Sequence, residues 1–334
     1  MRRRSYDKKR AKLIKYTDGA RALKSNVAIL LIYQADGLLP SLFTELDHLW
    51  AQGVSTIVVS NAPISPQDRA KLQSHCHLIL ERPNYGYDFG GYRDGVLTLF
   101  ERGISPDNLF ILNDSIWFPL TDDCTLIESA IANEADLFGI SYNDRSHDIY
   151  NQHIQSYFYR FKKRVIDSSH FEEHWRNLLL TNNKLMVVNQ CEKKLTYAMT
   201  SKGFTVDFMF DTKDLRRYAA QLDDADLRDF LYYCTQTNTH IADALQPFID
   251  AQENNRDWRQ GLEKFILSGG LGDYLLIMHP LILLRSMRTP VLKKDRQYIY
   301  QLQRKEIFRC GLDSKMTPII RDEIAQWDRP KVLA

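Results

Sequence analysis

Runs of apolar, mostly branched residues alternate with helix-like segments through the first 140 or so positions of the chain. Residues 27–33 are a continuous apolar run of the kind found in strands that are covered on both faces, and residues 54–60 are predicted as a second buried strand. Residues 38–50 instead place their apolar side chains at helical spacing. The pattern predicts strands at 27–33, 54–60, 77–80, 109–112 and 136–140, and helices at 38–50, 65–74, 91–102 and 125–133. Strands and helices in alternation predict a doubly wound, mostly parallel sheet of the α/β class.

The pattern changes after about residue 155, where helical spacing dominates. Helices are predicted at 156–166, 171–180 and 192–201, a short strand at 204–210, and mainly helices from 214 onward. We therefore divide the chain into residues 1–25, an α/β domain at 26–212, and a mainly helical C-terminal region at 213–334 that packs on this domain. The length of 334 residues suits one large domain with such an addition.

The net charge of +2 conceals a strongly basic start. Ten basic and two acidic residues fall within positions 1–24, which leaves the remainder of the chain mildly acidic. A basic N-terminal arm at 1–25 can hold a protein at an anionic membrane surface, with roughly 1 kcal/mol contributed by each basic residue near the surface. A solvated tail is the alternative. Nucleic acid is not an expected partner, because the arm has few aromatic residues and contains no recognised reading module.

Membrane-spanning and secreted classes do not fit the sequence. The longest apolar run, at 274–284, is short for a membrane span and contains His279 and Pro280. The basic start is not followed by the apolar core of a signal peptide. Five dispersed cysteines form neither a disulfide framework nor a zinc pattern, which is typical of a reducing compartment. We expect a cytoplasmic protein, peripheral to the cytoplasmic face of the inner membrane if the basic arm binds there.

The first candidate site is the polar end of the strand at 109–112. Asn113, Asp114 and Ser115 follow this apolar run directly. Ligands of open α/β sheets bind at the carboxyl ends of the strands. A carboxylate beside an amide and a hydroxyl suits a hard cation that holds a diphosphate. These residue types also favour an Asx turn, which is the structural alternative.

The second candidate site is the glycine-rich loop at 81–94, which leads into a predicted helix. Gly86 and Gly90 permit positive φ and a close approach of the backbone to a ligand, and the free N–H groups at a helix start favour an anion. Asn84 and Asp88 could bind a base or a ribose, and the aromatic residues between them could stack on a base. The spacing matches neither the dinucleotide fingerprint nor a P-loop. A turn stabilised by aromatic packing is the alternative.

A third polar cluster lies at 151–158. His153, Gln155 and Ser156 stand close together in the sequence, beside aromatic side chains. Such a group can bind sugar hydroxyls while aromatic rings form a platform for the sugar. A structural histidine is the alternative.

Three motifs in this order resemble the rhamnan synthesis protein F family of bacterial polysaccharide glycosyltransferases. They are Pro83-Asn84-x-Gly86-x-Asp88-x-Gly90, Leu112-Asn113-Asp114-Ser115 with Pro119, and His153-x-Gln155-Ser156-Tyr157-Phe158. Asp136-Leu137-Phe138-Gly139 is similar to a strand of the family, and His279 followed by Pro290-Val291-Leu292-Lys293 is similar to its closing segment. The resemblance spans residues 27–293.

The resemblance implies a GT-A-like fold and a nucleotide-sugar-dependent hexosyltransferase similar to a rhamnosyltransferase, with residues 26–212 as the nucleotide-sugar-binding and catalytic domain. The implied donor is a nucleoside-diphosphate sugar, with rhamnose favoured. The implied acceptor is a growing cell-surface polysaccharide, a lipopolysaccharide O-antigen or a lipid-linked glycan. The implied donor-binding residues are Asn84, Gly86, Asp88, Gly90, Arg93, Asn113, Asp114 and Ser115, with Arg82 as the alternative to Arg93. His153, Gln155 and Ser156 are implied in acceptor or sugar binding.

A divalent metal, Mn²⁺ or Mg²⁺, is the implied cofactor, with Asp114 as a ligand. GT-A enzymes usually have Asp-x-Asp where this chain supplies one carboxylate, so His279 is implied as a further ligand; a buried structural histidine is the alternative. An inverting transfer also needs a carboxylate that accepts the proton of the acceptor hydroxyl. Asp144 and Asp148, in the loop after the fifth strand, are the candidates, with Asp144 preferred and Glu192 left open.

Two other classes remain open at this point. A catalytically inactive sugar-binding or scaffold subunit of a polysaccharide assembly complex would keep the sheet with a single carboxylate at residue 114. A different Rossmann-like enzyme, such as a nucleotidyltransferase or methyltransferase, would bind a nucleoside triphosphate or S-adenosylmethionine instead of a nucleoside diphosphate.

Overall fold

The structure is a computed structural model that describes residues 3–251, 256–270 and 275–329 of the chain. The chain divides into two compact units. The first comprises Met1–Pro119 and Asp123–Met209, and the second comprises Leu120–Asp122 and Phe210–Ala334. The division after residue 209 lies close to the boundary that the sequence predicts at 212. The start of the apolar run at residue 274 lies outside the described residues.

Between residues 26 and 143, the first unit follows the predicted alternation of strands and helices, apart from one additional two-residue strand. The strands are β1 (Lys15–Asp18), β2 (Asn26–Ile32), β3 (Val54–Ser60), β4 (Leu78–Glu81), β5 (Asn108–Asn113), β6 (Ile116–Trp117), β7 (Leu137–Asn143), β8 (His153–Ile154), β9 (Phe158–Lys162) and β10 (Val206–Phe210). The helices are α1 (Arg3–Asp7), α2 (Arg10–Leu13), α3 (Pro40–Ala51), α4 (Pro66–Gln73), α5 (Tyr87–Glu101), α6 (Leu126–Ala132), α7 (Lys163–Ile166), α8 (Ser169–Asn177), α9 (Lys184–Val187) and α10 (Lys193–Thr200). A 3₁₀ turn lies at Ile149–Asn151 and a π-helical turn at Val188–Glu192.

One large sheet forms the centre of the first unit, with the strand order β1-β4-β3-β2-β5-β9-β7-β10 and with β8 paired to β7. The four strands β4, β3, β2 and β5 are parallel, whereas β1 and β9 run antiparallel to their neighbours. Leu31 of β2 is in register with Val59 of β3 and with Asn113 of β5. Every residue of β3 is buried, which requires cover on both faces of the sheet. The α/β class and the mostly parallel sheet are confirmed.

The main difference from the predicted elements is β9, which replaces much of the helix expected at 156–166. Phe158, Tyr159, Arg160 and Phe161 are all completely buried. A run without a polar face has no periodicity that distinguishes a strand from a helix. The strand lies between β5 and β7 and is antiparallel to both.

Helix α5 packs against the sheet through glycines. A Cβ atom on Gly95 would lie 2.6 Å from Ile29, and one on Gly91 would lie 2.2 Å from Leu31. Side chains at these two positions would therefore hold the helix away from β2. The close packing fixes the first turn of α5 relative to the ends of the parallel strands.

Residues 3–18 fold as part of the first unit, so the predicted separate basic arm at 1–25 is wrong. Tyr6 is completely buried, Arg10 is nearly so, and β1 pairs with β4 at the edge of the sheet. Five basic side chains of this segment are exposed, namely Arg4, Lys8, Lys9, Lys12 and Lys15. The charge count does not reveal the fold of this segment, because the partners of Tyr6 and Arg10 lie far away in the sequence.

Those partners form a buried charged network around Asp94 of α5. The Asp94 carboxylate accepts hydrogen bonds from Arg82 Nε at 2.6 Å and from Arg10 Nε at 2.9 Å. A third hydrogen bond comes from the Tyr6 hydroxyl at 2.6 Å. Burial, together with the neighbouring Asp94 charge, raises the pKa of Tyr6 well above its usual value. The network attaches the N-terminal segment to the middle of α5.

The second unit is mainly helical. Its elements are α11 (Thr212–Ala220), α12 (Asp224–Thr237), α13 (Ala242–Asp250), α14 (Arg256–Leu267), α15 (Tyr298–Arg309), α16 (Pro318–Trp327) and the short strand β11 (Leu292–Lys293), with 3₁₀ turns at Thr239–Ile241, Leu275–Ile277 and Leu312–Lys315 and a π-helical turn at Leu281–Ser286. The buried Gln303 of α15 donates to the main-chain oxygens of Leu276 and Met278. Over the residues that the structure describes, every helix is too short or too polar to cross a lipid bilayer.

Candidate functional site

Asp114 lies at the carboxyl end of β5 and bonds to the end of β2. Its main-chain N–H donates to the oxygen of Leu31 at 3.0 Å. Its Oδ2 atom accepts hydrogen bonds from the Tyr33 N–H and from the Gln34 side chain, each at 3.0 Å. The residue is half-buried. The carboxylate therefore joins the ends of two parallel strands and stays at the edge of the sheet, where ligands of this fold class bind.

Asn113 connects this strand end with the first turn of α5. Its amide nitrogen donates to the Tyr92 hydroxyl at 2.7 Å and to Asp88 Oδ2 at 3.3 Å. Its amide oxygen accepts hydrogen bonds from Ser115. Asn113 is buried, whereas Asp88 is exposed. The structure thus brings the strand-end motif and the loop motif together.

Tyr92 extends these hydrogen bonds to the third motif. Its hydroxyl donates to the main-chain oxygen of Ser156 at 2.9 Å, and the Ser156 hydroxyl donates to Glu192 Oε1 at 2.8 Å. Tyr92 is completely buried, and burial raises the pKa of its hydroxyl well above the usual value. The hydroxyl is therefore protonated at neutral pH and serves as a permanent donor to Ser156.

A cavity of about 200 Å³ lies beside these residues. It is lined by Tyr87, Asp88, Phe89, Ser156, Lys184, Val187, Val188 and Glu192. The wall combines two carboxylates, one amine, one hydroxyl and aromatic rings, so it suits a polar ligand that also has an apolar face. Sites for drug-sized ligands measure about 300–1,000 Å³. This cavity therefore has room for only part of a nucleotide sugar.

The glycines of the loop before α5 serve the packing of the protein itself, and their expected role in donor binding stays a prediction. Gly86 has a φ of 86°, which favours glycine. A Cβ atom on Gly90 would lie 2.1 Å from a main-chain oxygen of the same loop. Tyr87 has a φ of 51°, and such strain in a residue other than glycine concentrates at ligand sites. Asn84 and Asp88 are exposed.

Both candidate arginines are bound inside the protein, so the prediction that Arg82 or Arg93 binds phosphate is wrong. The Arg82 side chain has no exposed surface, and its donors reach Asp94, Asn61 and the oxygen of Tyr85. Arg93 is buried too, and it donates to Asp7 and to the main-chain oxygens of Trp175 and Arg176. The guanidinium donors that would bind phosphate oxygens are instead bonded to acceptors inside the protein.

The two aspartates expected as the catalytic base are not among the residues that line the cavity. Asp148 is exposed and caps the 3₁₀ turn at Ile149–Asn151, where its carboxylate accepts the Tyr150 N–H at 3.0 Å. Asp144 is half-buried in the loop after β7. The expected role of either one as the base stays a prediction.

His153 and Gln155 have surroundings that differ from those of Ser156. His153 is buried in β8, and its Nδ1 atom lies 2.7 Å from the oxygen of Asn151. Burial lowers the pKa of His153, so the ring is neutral at neutral pH. Gln155 is half-buried, and its main-chain N–H donates to Ser141 at 3.0 Å. Of the three residues expected to bind the acceptor, Ser156 is the one that lines the cavity.

His279 belongs to the second unit, where it is completely buried. Its Nδ1 atom accepts the Leu281 N–H at 3.2 Å, and its Nε2 atom lies 3.5 Å from Glu306 Oε2. Burial lowers the pKa of His279 to about 4, so the ring is neutral. A neutral ring that accepts at Nδ1 carries its proton on Nε2, which faces Glu306. These contacts suit the alternative of a buried structural histidine, and the expected ligand role of His279 stays a prediction.

The strand-end residues suit a hard cation that is shared with a diphosphate. Mg²⁺ is usually bound by one or two carboxylates together with substrate phosphates and water, and Asp114 and Asp88 are carboxylates of this kind. Within residues 3–251, 256–270 and 275–329, one group of three His, Cys, Asp or Glu donors lies close enough for an ion, and it consists of His279, Glu306 and Cys310. The strand end therefore fits a metal held jointly with a ligand better than a cage made by the protein alone.

Residues 56–268 of the chain match the family described as Rhamnan synthesis protein F. This range includes Asp88, Asp114 and Glu192. A relative from Sinorhizobium fredii (strain NBRC 101917 / NGR234), "Uncharacterized protein y4gN", is 36% identical over 328 residues, which cover 98% of this chain and 86% of the relative. The "Virulence protein VirA" of Vibrio anguillarum (strain ATCC 68554 / 775) is 30% identical over 132 residues, which cover 38% of this chain and 40% of that protein.

A solved structure, "Mannosyltransferase PcManGT from Pyrobaculum calidifontis in complex with GDP-Man and Mn2+", is 8% identical to this chain, with a TM-score of 0.34 over 97% of this chain and 90% of that chain. A TM-score of this size supports no conclusion about this chain. The family match supports a glycosyltransferase in general terms, and it leaves the donor sugar and the acceptor open.

Proposed function

The chain belongs to the rhamnan synthesis protein F family, and from this premise we propose that it is a glycosyltransferase that moves a sugar from a nucleoside-diphosphate donor to a glycan. The observation that carries the proposal is the convergence of Asp88, Asn113 and Asp114 at the carboxyl ends of the parallel strands, beside a cavity. Ligands of open parallel sheets bind at this edge.

Asp114, with Asp88 nearby, would hold Mn²⁺ or Mg²⁺ against the diphosphate of the donor. The cation offsets the negative charge that develops on the departing nucleoside diphosphate. The first turn of α5 adds main-chain N–H groups and the positive end of the helix dipole, which favour phosphate oxygens. Asn84 and Ser115 flank this position and would bind the nucleoside portion.

We further propose rhamnose as the donor sugar, and a cell-surface polysaccharide or lipopolysaccharide O-antigen as the acceptor, because the family is described by rhamnan synthesis. Contact with an anionic membrane surface on the cytoplasmic side also remains a proposal. The folded N-terminal segment leaves Arg4, Lys8, Lys9 and Lys12 exposed for it. Each basic residue near such a surface contributes roughly 1 kcal/mol.

Calorimetric titration of nucleotide sugars tests the proposal. The protein is titrated with thymidine diphosphate rhamnose, GDP-mannose, UDP-glucose and UDP-galactose, with Mn²⁺ and with excess chelator. We expect at least one donor to bind when the cation is present. Asp114→Asn should weaken this binding about tenfold or more, equivalent to about 1.4 kcal/mol. Asparagine keeps an acceptor oxygen for Tyr33 and Gln34, so the thermal midpoint should change little.

Asp107→Asn is the matched control, because Asp107 is exposed just before the amino end of β5, whereas Asp114 follows its carboxyl end. This variant should bind the donor as the wild type does. Failure of all four donors to bind, or equal binding by Asp114→Asn, contradicts the proposal. Stabilisation by a nucleoside triphosphate or S-adenosylmethionine instead would favour a different Rossmann-like enzyme. Donor binding without release of nucleoside diphosphate would favour an inactive sugar-binding subunit.

A further inference from the structure

Two carboxylates line the cavity, and they are held by different parts of the site. Asp88 accepts a hydrogen bond from Asn113 at the strand end, whereas Glu192 accepts one from Ser156 in the third motif. We propose that Glu192 is the catalytic base that takes the proton from the attacking hydroxyl of the acceptor, and that the cavity holds the terminal sugar of the acceptor. This inference rests on the proposed glycosyltransferase function and requires an inverting transfer.

Ser156 fixes the orientation of the Glu192 carboxylate. The Ser156 hydroxyl donates to Oε1 at 2.8 Å, and the Ser156 N–H reaches the same oxygen at 3.4 Å. Glu192 is half-buried, so its carboxylate is shielded from bulk water on one side and faces the cavity on the other. A base that is oriented before the acceptor binds needs little reorganisation to reach a reactive geometry.

The backbone around Glu192 is unusual. Glu192 is the last residue of the π-helical turn Val188–Glu192, which lies between α9 and α10. π-helical turns are rare, and they occur frequently at functional sites. Val187 and Val188 of the same segment line the cavity, as does Tyr87, whose φ is positive. Two uncommon backbone conformations therefore meet at one cavity.

The two carboxylates are placed for different tasks. Asp88 stands in the first turn of α5 and is joined to the strand end that carries Asp114. Glu192 is connected to that end through Tyr92 and Ser156, whose hydrogen bonds follow one another in series. One carboxylate thus lies with the expected leaving group, and the other is held by the third motif. An inverting transfer uses groups with these two tasks, because attack and departure occur on opposite faces of the donor sugar.

The size and the wall of the cavity suit a single sugar ring. A volume of about 200 Å³ lies below the roughly 300–1,000 Å³ of sites for drug-sized ligands, so it suits a ligand smaller than these. Tyr87 and Phe89 supply aromatic surface for the apolar face of the ring. Lys184, Ser156 and Glu192 supply polar partners for its hydroxyls.

The proposed step conserves atoms and electrons. The acceptor oxygen forms a bond to the anomeric carbon of the donor as the bond from that carbon to the phosphate oxygen breaks. The electron pair of the broken bond leaves with the nucleoside diphosphate. The hydroxyl proton moves to the Glu192 carboxylate, which later returns it to water. The new glycosidic bond has inverted configuration.

The test compares Glu192→Gln with the wild type and with Glu173→Gln, a control on the exposed side of α8. Glutamine keeps an oxygen for both Ser156 donors and cannot take up the proton. Turnover is measured as release of nucleoside diphosphate from the donor found by titration, with water, octyl rhamnoside and octyl glucoside as acceptors. We expect Glu192→Gln to lose about 100-fold or more in turnover and to lose the acid limb of the pH–rate profile. Glu192→Gln should bind the nucleoside diphosphate with unchanged affinity. Glu173→Gln should keep the turnover of the wild type.

Turnover of Glu192→Gln within about fivefold of the wild type overturns the inference, and donor binding then still supports a glycosyltransferase. A product of retained configuration overturns the inference as well. So does an active Glu192→Gln variant when Asp144→Asn or Asp148→Asn loses turnover. If the wild-type protein binds no donor, the proposed function is wrong, and the inference that rests on it is wrong too. If a lowered thermal midpoint shows that Glu192→Gln misfolds, Glu192→Asp replaces it. That variant should turn over slowly and keep the acid limb, and wild-type turnover from it overturns the inference.

Discussion

Replacement of Asp94 by asparagine is expected to destabilise the first unit strongly. The carboxylate accepts hydrogen bonds from Arg82, Arg10 and Tyr6, and the two arginine side chains are 0% and 8% exposed. Asparagine removes the charge, so the buried Arg82 guanidinium loses its counter-charge, whereas Arg10 keeps its ion pair with Glu101. Breaking a buried ion pair from one side costs about 3–5 kcal/mol. At about 2–4 °C per kcal/mol for a unit of about 200 residues, the thermal midpoint should fall by roughly 6–20 °C.

Urea denaturation followed by circular dichroism measures this change in the free energy of unfolding. Asp18→Asn is the control, because its carboxylate is 85% exposed and lies 3.6 Å from Arg102; it should stay within about 0.5 kcal/mol of the wild type. Adding Arg82→Met to Asp94→Asn removes the uncompensated charge and should recover part of the loss. An Asp94→Asn effect as small as that of Asp18→Asn would refute the reasoning that a buried network anchors the N-terminal segment.

Three further predictions concern stability. Gly90→Ala should lower the free energy of unfolding by about 2–3 kcal/mol, because its Cβ would lie 2.1 Å from a main-chain oxygen. Gly261→Ala is the control, since its Cβ would have no contact nearer than 3.3 Å, and it should leave the thermal midpoint nearly unchanged. Similar midpoints for the two variants would contradict this. Arg160→Met should cost about 3 kcal/mol or more in urea denaturation, since the guanidinium donates to three main-chain oxygens, and a loss below about 1 kcal/mol would show that water replaces it. Burial lowers the pKa of His279 to about 4 from its usual value near 6.5, so between these two pH values the unfolded chain binds more protons than the folded one. The free energy of unfolding should therefore fall as the pH is lowered from about 6.5 to about 4. His279→Asn should flatten this pH dependence, and an unchanged slope would rule the histidine out as its source.

The parallel part of the sheet could be predicted from the sequence, because its strands are almost entirely buried and alternate with helices along the chain. β3 was expected at 54–60 and is observed at Val54–Ser60. β9 could not be predicted in this way, because even its arginine is buried and no polar position marks the period. The fold of the N-terminal segment could not be predicted for a related reason. A basic residue such as Arg10 is expected at the surface, and the sequence does not show that Asp94 lies beside it.

The site was predictable to the level of motifs. Asn113, Asp88 and Ser156 were each singled out by local sequence, and the structure connects them through hydrogen bonds. The role of Arg82 was not predictable, because it depends on buried acceptors rather than on the glycine loop that follows it. Glu192 belongs to no motif, and its one signal in the sequence is a carboxylate at the start of a predicted helix. The fold alone brings it to the cavity.

Diffraction from crystals grown with Mn²⁺ and the nucleoside diphosphate of the selected donor tests the central claim most directly, because anomalous scattering locates manganese independently of the rest of the map. We expect a manganese peak about 2.0–2.3 Å from a carboxylate oxygen of Asp114, with the diphosphate at the first turn of α5. A nucleotide bound away from the carboxyl ends of β2 and β5, or a diphosphate whose cation has no contact with Asp114, would contradict the account.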